Sequence, residues 1–258
     1  MSTFDISKFI IFVNKQKPFY DKIIKKVNTT IDGRLCMSPW VHYLMAIYEY
    51  MPVCENYLET GVLWGGSIGL LLSLKNNDTK NIIGLDLFTG YYERQNHNSI
   101  AVDGTSILIN EQNHLNFVKK NIELFNEQNT KVNLIKGSSY SPESVNSVKS
   151  ITKEIDLIFL DGDHTTEGVT KDFLLYHSFL KKGGFMVCDN YTEHWWHGKG
   201  VKHAFDRIPL ETYGFKEVAV IVTKHYVHGP VKCITYDELL KVNQDIWKPC
   251  CLILLKIK

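Results

Sequence analysis

Between residues 55 and 190 the chain repeats one pattern five times: a short run rich in Leu, Ile, Val and aromatic residues, a turn, and a longer polar or amphipathic segment. The runs are NYLET (56–60), NIIGLDL (81–87), KVNLIKG (131–137), IDLIFLD (155–161) and GFMVCD (184–189). Short apolar runs alternating with helical segments are the signature of parallel strands covered on both faces, because each parallel strand needs a crossover before the next. One crossover is plain from spacing: Val169, Phe173, Tyr176 and Leu180 recur at helical intervals, and Gly183-Gly184 ends the segment. FKEVAVIVT (215–223) and CCLILLKI (250–257) close the same sheet. The expected fold is α/β, a doubly wound, mostly parallel seven-stranded sheet over residues 51–258, preceded by an N-terminal helical extension over 1–50.

Composition narrows the partners. Across 258 residues, 29 Lys+Arg balance 28 Asp+Glu, so no overall field favours nucleic acid or an anionic membrane. Three arginines (Arg34, Arg94, Arg207) are few for a protein that reads phosphate or guanine bidentately. A neutral or mixed-charge small molecule suits this balance better. Cys36, Cys54, Cys188, Cys233, Cys250 and Cys251 form no CxxC pair and fall largely in apolar runs, which reads as a reduced, cytoplasmic protein. FIIFV near the start is too short for a signal-peptide core, and no apolar run approaches the roughly 18 residues of a membrane span.

The chemistry gathers at the ends of the runs. In LETGVLWGGSIG, Glu59, Gly61, Gly65, Gly66 and Ser67 stand between a strand and a helix, where glycines let backbone approach a ligand and the helix start offers free N–H groups. A nucleotide or nucleoside cofactor is implied, but the spacing ExGxxxGGS departs from the GxGxxG of dinucleotide sites. Asp86 ends the second run, where doubly wound folds place an acid against ribose hydroxyls; a turn or helix cap is the plainer role for such a residue. Ser138 and Ser139 follow the third run, with Pro142 offering a helix-capping explanation for the same serine cluster. The carboxyl ends of parallel strands share one rim, so Asp161, Asp189 and Asn190 should converge there and suit Mg²⁺ or a similar hard cation. Asp163 is either a further ligand or the cap of the helix opening at Thr165 and Thr166.

ETGVLWGGS resembles motif I of the class I methyltransferases, which bind S-adenosylmethionine (SAM) and hold its methionine carboxylate at the serine-bearing turn. Asp161 with Asp189-Asn190 resembles the metal triad of catechol and caffeoyl-coenzyme A O-methyltransferases. ETGVLWGGS, KGSSYSPESV and DGDHTTEGV together are closer to the macrocin-type and rhamnosyl O-methyltransferases, a group that includes the cephalosporin-hydroxylase-like proteins. The likeness spans roughly residues 55 to 210. It implies SAM contacts at Glu59, Gly61, Gly65, Ser67, Asp86, Ser138, Ser139 and Asp161, a divalent cation at Asp161, Asp189 and Asn190, and His164 as general base. Those relatives often carry Glu-Asp where this chain has Asp189-Asn190.

The function so implied is metal-dependent methyl transfer to a hydroxyl of a sugar, sugar nucleotide or glycosylated small molecule. A catechol-type phenol acceptor and a non-catalytic SAM-binding protein are the competing readings, and a helix-start histidine bonded only to backbone is the competing one for His164. The stretch 88–112 is long for a connection and is expected to be a lid, a substrate wall or a mobile insertion. His194, Trp195, Trp196 and His197 are candidate substrate contacts, with a metal site of HxxH type disfavoured by the lack of a third ligand. The N-terminal helices are candidates for a homo-oligomer interface or a cover over SAM.

Overall fold

The computed structural model of the chain describes residues 4–31, 41–74, 78–89, 100–101, 108–109, 113–191, 194–195, 198–224, 230–243 and 246–258. Two helices come first, α1 (Ile6–Thr30) and α2 (Val41–Tyr50). Then follow β1 (Asn56–Thr60), α3 (Gly66–Ser73), β2 (Asn81–Asp86), α4 (His114–Glu123), β3 (Lys131–Lys136), α5 (Pro142–Ile151), β4 (Ile155–Leu160), α6 (Thr166–Tyr176) and β5 (Leu180–Asp189). The chain closes with α7 (Val201–Phe205), β6 (Phe215–Thr223), β7 (Val231–Ile234), α8 (Tyr236–Leu239) and β8 (Lys248–Lys256).

These strands form one sheet in the order β7-β6-β8-β5-β4-β1-β2-β3. From β3 to β5 every neighbour is parallel, and β8 then runs antiparallel to both β5 and β6, with β7 antiparallel on the edge. The sheet has eight strands where the sequence suggested seven. β7 is the addition: VKCI is too short and too polar to stand out, and becomes a strand by pairing Val231–Ile234 with Val220–Thr223. Strand order reverses between β1 and β4, whose crossovers leave on opposite sides, and ligands of doubly wound sheets bind in the crevice at such a switch point.

Side chains of successive strand residues face opposite layers. Tyr57, Leu157, Phe159, Phe185 and Val187 pack with α1 to α4, whereas Leu58, Ile158, Leu160, Met186 and Cys188 pack with α5 to α8. The buried stripe of α1, Phe9, Val13, Tyr20, Ile23, Ile24 and Val27, belongs to the first of these cores, and Tyr20 anchors it to α2 by donating to Glu49 Oε2 at 2.6 Å. Five cysteines are free and buried, as small apolar residues would be, and Cys36 lies outside the described residues. No helix among the described residues is long and apolar enough to cross a membrane. Most of 88–112 lies outside the described residues, save Phe88, Thr89 and a two-residue ribbon pairing Ile100–Ala101 with Leu108–Ile109. Trp196 and His197 lie outside them too, and of His194–Trp195 only the backbone is described, paired with Gly198–Lys199.

Candidate active site

The turn from β1 into α3 is built around two acids. Glu59 is fully buried; Tyr57 donates to its Oε2 at 2.6 Å and Ser67 to its Oε1. Burial pushes the Glu59 carboxyl up to about 7, against the pull of those two donors. Glu59 and Ser67 therefore hold each other beneath the rim and tie β1 to the first turn of α3. Asp86, at the end of β2, accepts from the N–H groups of Val62 (2.8 Å) and Leu63 (3.0 Å) through Oδ2 and of Phe88 (2.7 Å) through Oδ1. Its carboxylate shapes the glycine loop and keeps lone pairs for a further donor.

Gly61 marks the closest approach in the site. Its φ is +83°, and a Cβ there would overlap the Asp161 carbonyl oxygen and lie 2.8 Å from Gly162 Cα. Only glycine lets the ends of β1 and β4 meet at the switch point. Gly65, with φ +77°, starts α3, whose N-terminus has no side-chain cap; α5, α6 and α8 are capped by Ser141, Thr165 and Thr235. The loop is gripped from α4 by two residues that drew no notice in the sequence: His114 Nε2 lies 2.7 Å from Leu63 O, and Asn121 donates to Trp64 O at 3.0 Å. No sequence pattern points to them, because their partners are backbone carbonyls more than 50 residues away.

After β3, Ser141 takes the capping role that the serine cluster suggested, accepting from Ser144 N at 3.1 Å. Ser138 and Ser139 are left for the loop itself: Ser138 Oγ accepts from Tyr140 N at 3.3 Å, and Ser139 O accepts from the Tyr176 hydroxyl at 2.8 Å.

Across the crevice, β4 and β5 deliver Asp161, His164, Asp189 and Asn190. One ligand atom from each of Asp161, His164 and Asp189 lies within 4.8 Å of the other two. His164 Nε2 stands 3.1 Å from Asp161 Oδ1, and its Nδ1 stands 3.1 Å from Asn190 Nδ2. Asn190 adopts φ +50°, a left-handed conformation that asparagine tolerates better than most residues. Burial holds both Asp161 and Asp189 well above the usual carboxylate range; the Asp161 charge adds to the rise at Asp189, whereas the contact with Asp189 opposes the rise at Asp161. Asp163 is not in this cluster. It accepts from Thr165 N at 2.9 Å and from the Tyr140 hydroxyl at 2.9 Å, steadying the turn into α6 that Thr165 caps.

Asp172 completes the floor, and no sequence pattern singled it out. It is 2% exposed on α6, and its carboxyl is pushed up to about 7 by burial, opposed by the nearby hydroxyls of Ser139 and Thr60.

A family model described as a methyltransferase domain matches residues 58–191, just over half of the chain. The sequence is 32% identical over 141 residues to "Uncharacterized protein R132" of Acanthamoeba polyphaga mimivirus, a match covering 55% of this chain and 53% of that one. The match thus spans about half the length of that relative. Among solved structures, an O-methyltransferase from Bacillus cereus in complex with SAH is similar over 92% of this chain and 90% of that one, at 15% identity and a TM-score of 0.55. Cofactor-bound Rv0187 from MTB is similar over 95% of this chain and 91% of that one, at 12% identity and a TM-score of 0.55. At such identities the structural likeness speaks for the fold, and the family match covers the strands that carry the glycine loop and the acid rim. The chain belongs to the methyltransferase-domain family.

Proposed function

We propose that the protein is a SAM-dependent, divalent-metal-dependent O-methyltransferase acting on a hydroxyl of a sugar, sugar nucleotide or glycosylated small molecule. The observation that carries this reading is the convergence of Asp161, His164 and Asp189 within 4.8 Å at the switch point, facing a glycine loop that admits no Cβ at Gly61. The sugar acceptor rests on the resemblance of DGDHTTEGV and its companion motifs to macrocin-type and rhamnosyl enzymes.

The residues fit both groups the reading needs. Two adjoining carboxyls that burial holds above the usual carboxylate range are a pair that a divalent cation would relieve, and oxygen donors from Asp161, Asp189 and Asn190 suit Mg²⁺. Such a cation would lower the proton affinity of an acceptor hydroxyl and hold it in place. The uncapped start of α3 offers N–H groups to the methionine carboxylate of SAM, and Asp86 retains acceptor capacity for a ribose hydroxyl. Ser138 and Ser139 stand at the end of β3, on the side assigned to adenine. His164, between Asp161 and Asn190, takes the acceptor proton on a ring nitrogen. An imidazole so placed can also serve as a ligand, and the two roles separate by experiment: a base can be removed without loss of metal affinity.

The test is methyl transfer from labelled SAM to a panel of sugar and catechol acceptors, with and without EDTA, followed by mass spectrometry. Transfer to a sugar hydroxyl that stops on chelation supports the proposal. Transfer that survives EDTA removes the metal from it, and absence of SAM binding in calorimetry ends it.

A further inference from the structure

Three residues of α6 at four-residue intervals, Gly168, Asp172 and Tyr176, face the ends of β1, β3 and β4 from below. Gly168 makes room for the Tyr140–Asp163 pair: a Cβ there would overlap Asp163 and lie 2.5 Å from the Tyr140 hydroxyl oxygen. Tyr176 reaches the loop after β3 by donating to Ser139 O at 2.8 Å. Asp172 sits between them, against Thr60 of β1 and Ser139 of the β3 loop. It also underlies Gly162 of the β4 loop, where a Cβ would lie 3.5 Å from Asp172 Oδ2 and 3.6 Å from Thr60 Oγ1. Both Asp172 Oδ1 and Thr60 Oγ1 are buried and close no hydrogen bond.

A carboxyl is a costly way to fill space in a core. What it supplies here is an acceptor within reach of hydroxyls on two different strand ends, beneath the crevice where cofactor side and acid side meet. We propose that Asp172 is a positioning residue that fixes the Ser138–Ser139 loop relative to the Asp161–His164 loop, and so sets the distance between the cofactor and the cation. This rests on the methyltransferase reading of the site.

The test uses the full chain, with S-adenosylhomocysteine and Mn²⁺ as separate calorimetric probes. Tyr176→Phe touches the β3 loop at Ser139 O and should weaken S-adenosylhomocysteine alone. Asp172→Asn, which keeps the volume, should weaken both, each by about fivefold, because the amide sets an N–H donor in place of one of the two oxygens that face the Thr60 and Ser139 hydroxyls. Thr60→Val should act in the same direction, and the Asp172→Asn/Thr60→Val double variant should be no weaker than the worse single one. A general loss of stability would not sort the two ligands in this way. If Asp172→Asn lowers the melting temperature yet leaves both affinities within about twofold, or weakens only one, Asp172 merely packs and the proposal is wrong. If Asp172→Asn does not fold, Thr60→Val decides the matter by the same two affinities: weakening of both supports the proposal, and weakening of one or neither overturns it. A wild-type chain that binds neither probe would overturn the methyltransferase reading itself, and this proposal with it.

Discussion

Replacing Gly61 with alanine separates two kinds of strain and reads out on the metal site. A Cβ at Gly61 would overlap the Asp161 carbonyl oxygen, lie 2.5 Å from its carbon and 2.8 Å from Gly162 Cα, all backbone atoms that cannot swing aside. The residue also holds φ +83°, which costs a non-glycine residue about 1–2 kcal/mol. Forcing the ends of β1 and β4 apart adds the about 1–3 kcal/mol typical of overpacking. The sum, about 2–5 kcal/mol, corresponds to a fall in melting temperature of roughly 4–20 °C for a chain of this size. Gly183 is the matched control, because it has φ +86° with nothing within 4 Å of a Cβ, so Gly183→Ala should show the φ cost alone. Urea unfolding of both variants, with Mn²⁺ titration of each, makes the comparison. Gly61→Ala should be the more destabilised by at least about 1 kcal/mol and should bind Mn²⁺ more weakly, since the displaced atoms belong to Asp161. Equal destabilisation of the two variants, or unaltered Mn²⁺ binding by Gly61→Ala, would refute the close approach as the reason for glycine.

Three further outcomes are expected. His164→Ala should abolish methyl transfer while S-adenosylhomocysteine and Mn²⁺ affinities stay within about threefold of wild type; a large loss of Mn²⁺ affinity would make His164 a ligand instead of a base. In EDTA the melting temperature should fall as pH rises from about 6.5 to 8. Glu59 and Asp172 titrate at about 7 and the Asp161–Asp189 pair is raised as well, so the fold holds protons that the unfolded chain, with acids near pKa 4, has already lost. His42 and His177, lowered by burial, act in the opposite direction only below that window, and Mn²⁺ should restore more stability at the high end than the low; a flat or rising profile would contradict the buried acids. Ser67→Ala should cost about 1–3 kcal/mol in chemical denaturation, the penalty of leaving a buried polar group short of a partner, because Glu59 would keep only Tyr57 as donor; a change below about 0.5 kcal/mol would mean that Glu59 is held some other way.

Much of the fold was legible because its signals are local. The five runs read as parallel strands are β1 to β5, but α6 ends at Tyr176, so Leu180, read as the last helical position, begins β5, and Gly183-Gly184, read as the end of the helical segment, lies within that strand. The acids read at strand ends are at strand ends: Asp86 and Asp189 close β2 and β5, and Asp161 follows β4. Side-chain partnerships were far less legible. Asp86 read as a ribose acceptor, and it also spends its oxygens on three backbone N–H groups of its own and the neighbouring loop. The serine cluster read as either cap or cofactor contact, and the division between Ser141 on the one hand and Ser138 and Ser139 on the other follows from the start of α5. Asp163 read as a cap or a ligand, and it supports the cap without being it.

By itself the sequence determined the alternation of strands and helices, the glycine loop after the first strand and the supply of acids after the second, fourth and fifth, all of which follow from periodicity and turn chemistry within a few residues. Tertiary structure alone decided which of those groups meet. β1 lies between β2 and β4, so Gly61 touches Asp161 across 100 residues of chain, and β4 lies beside β5, so Asp161 and His164 stand against Asp189 and Asn190. It also decided that Asp172, one polar residue among many on an amphipathic helix, lies under the junction of three strand ends. Strand order and register set these distances, and both are properties of the packed sheet that no single segment carries.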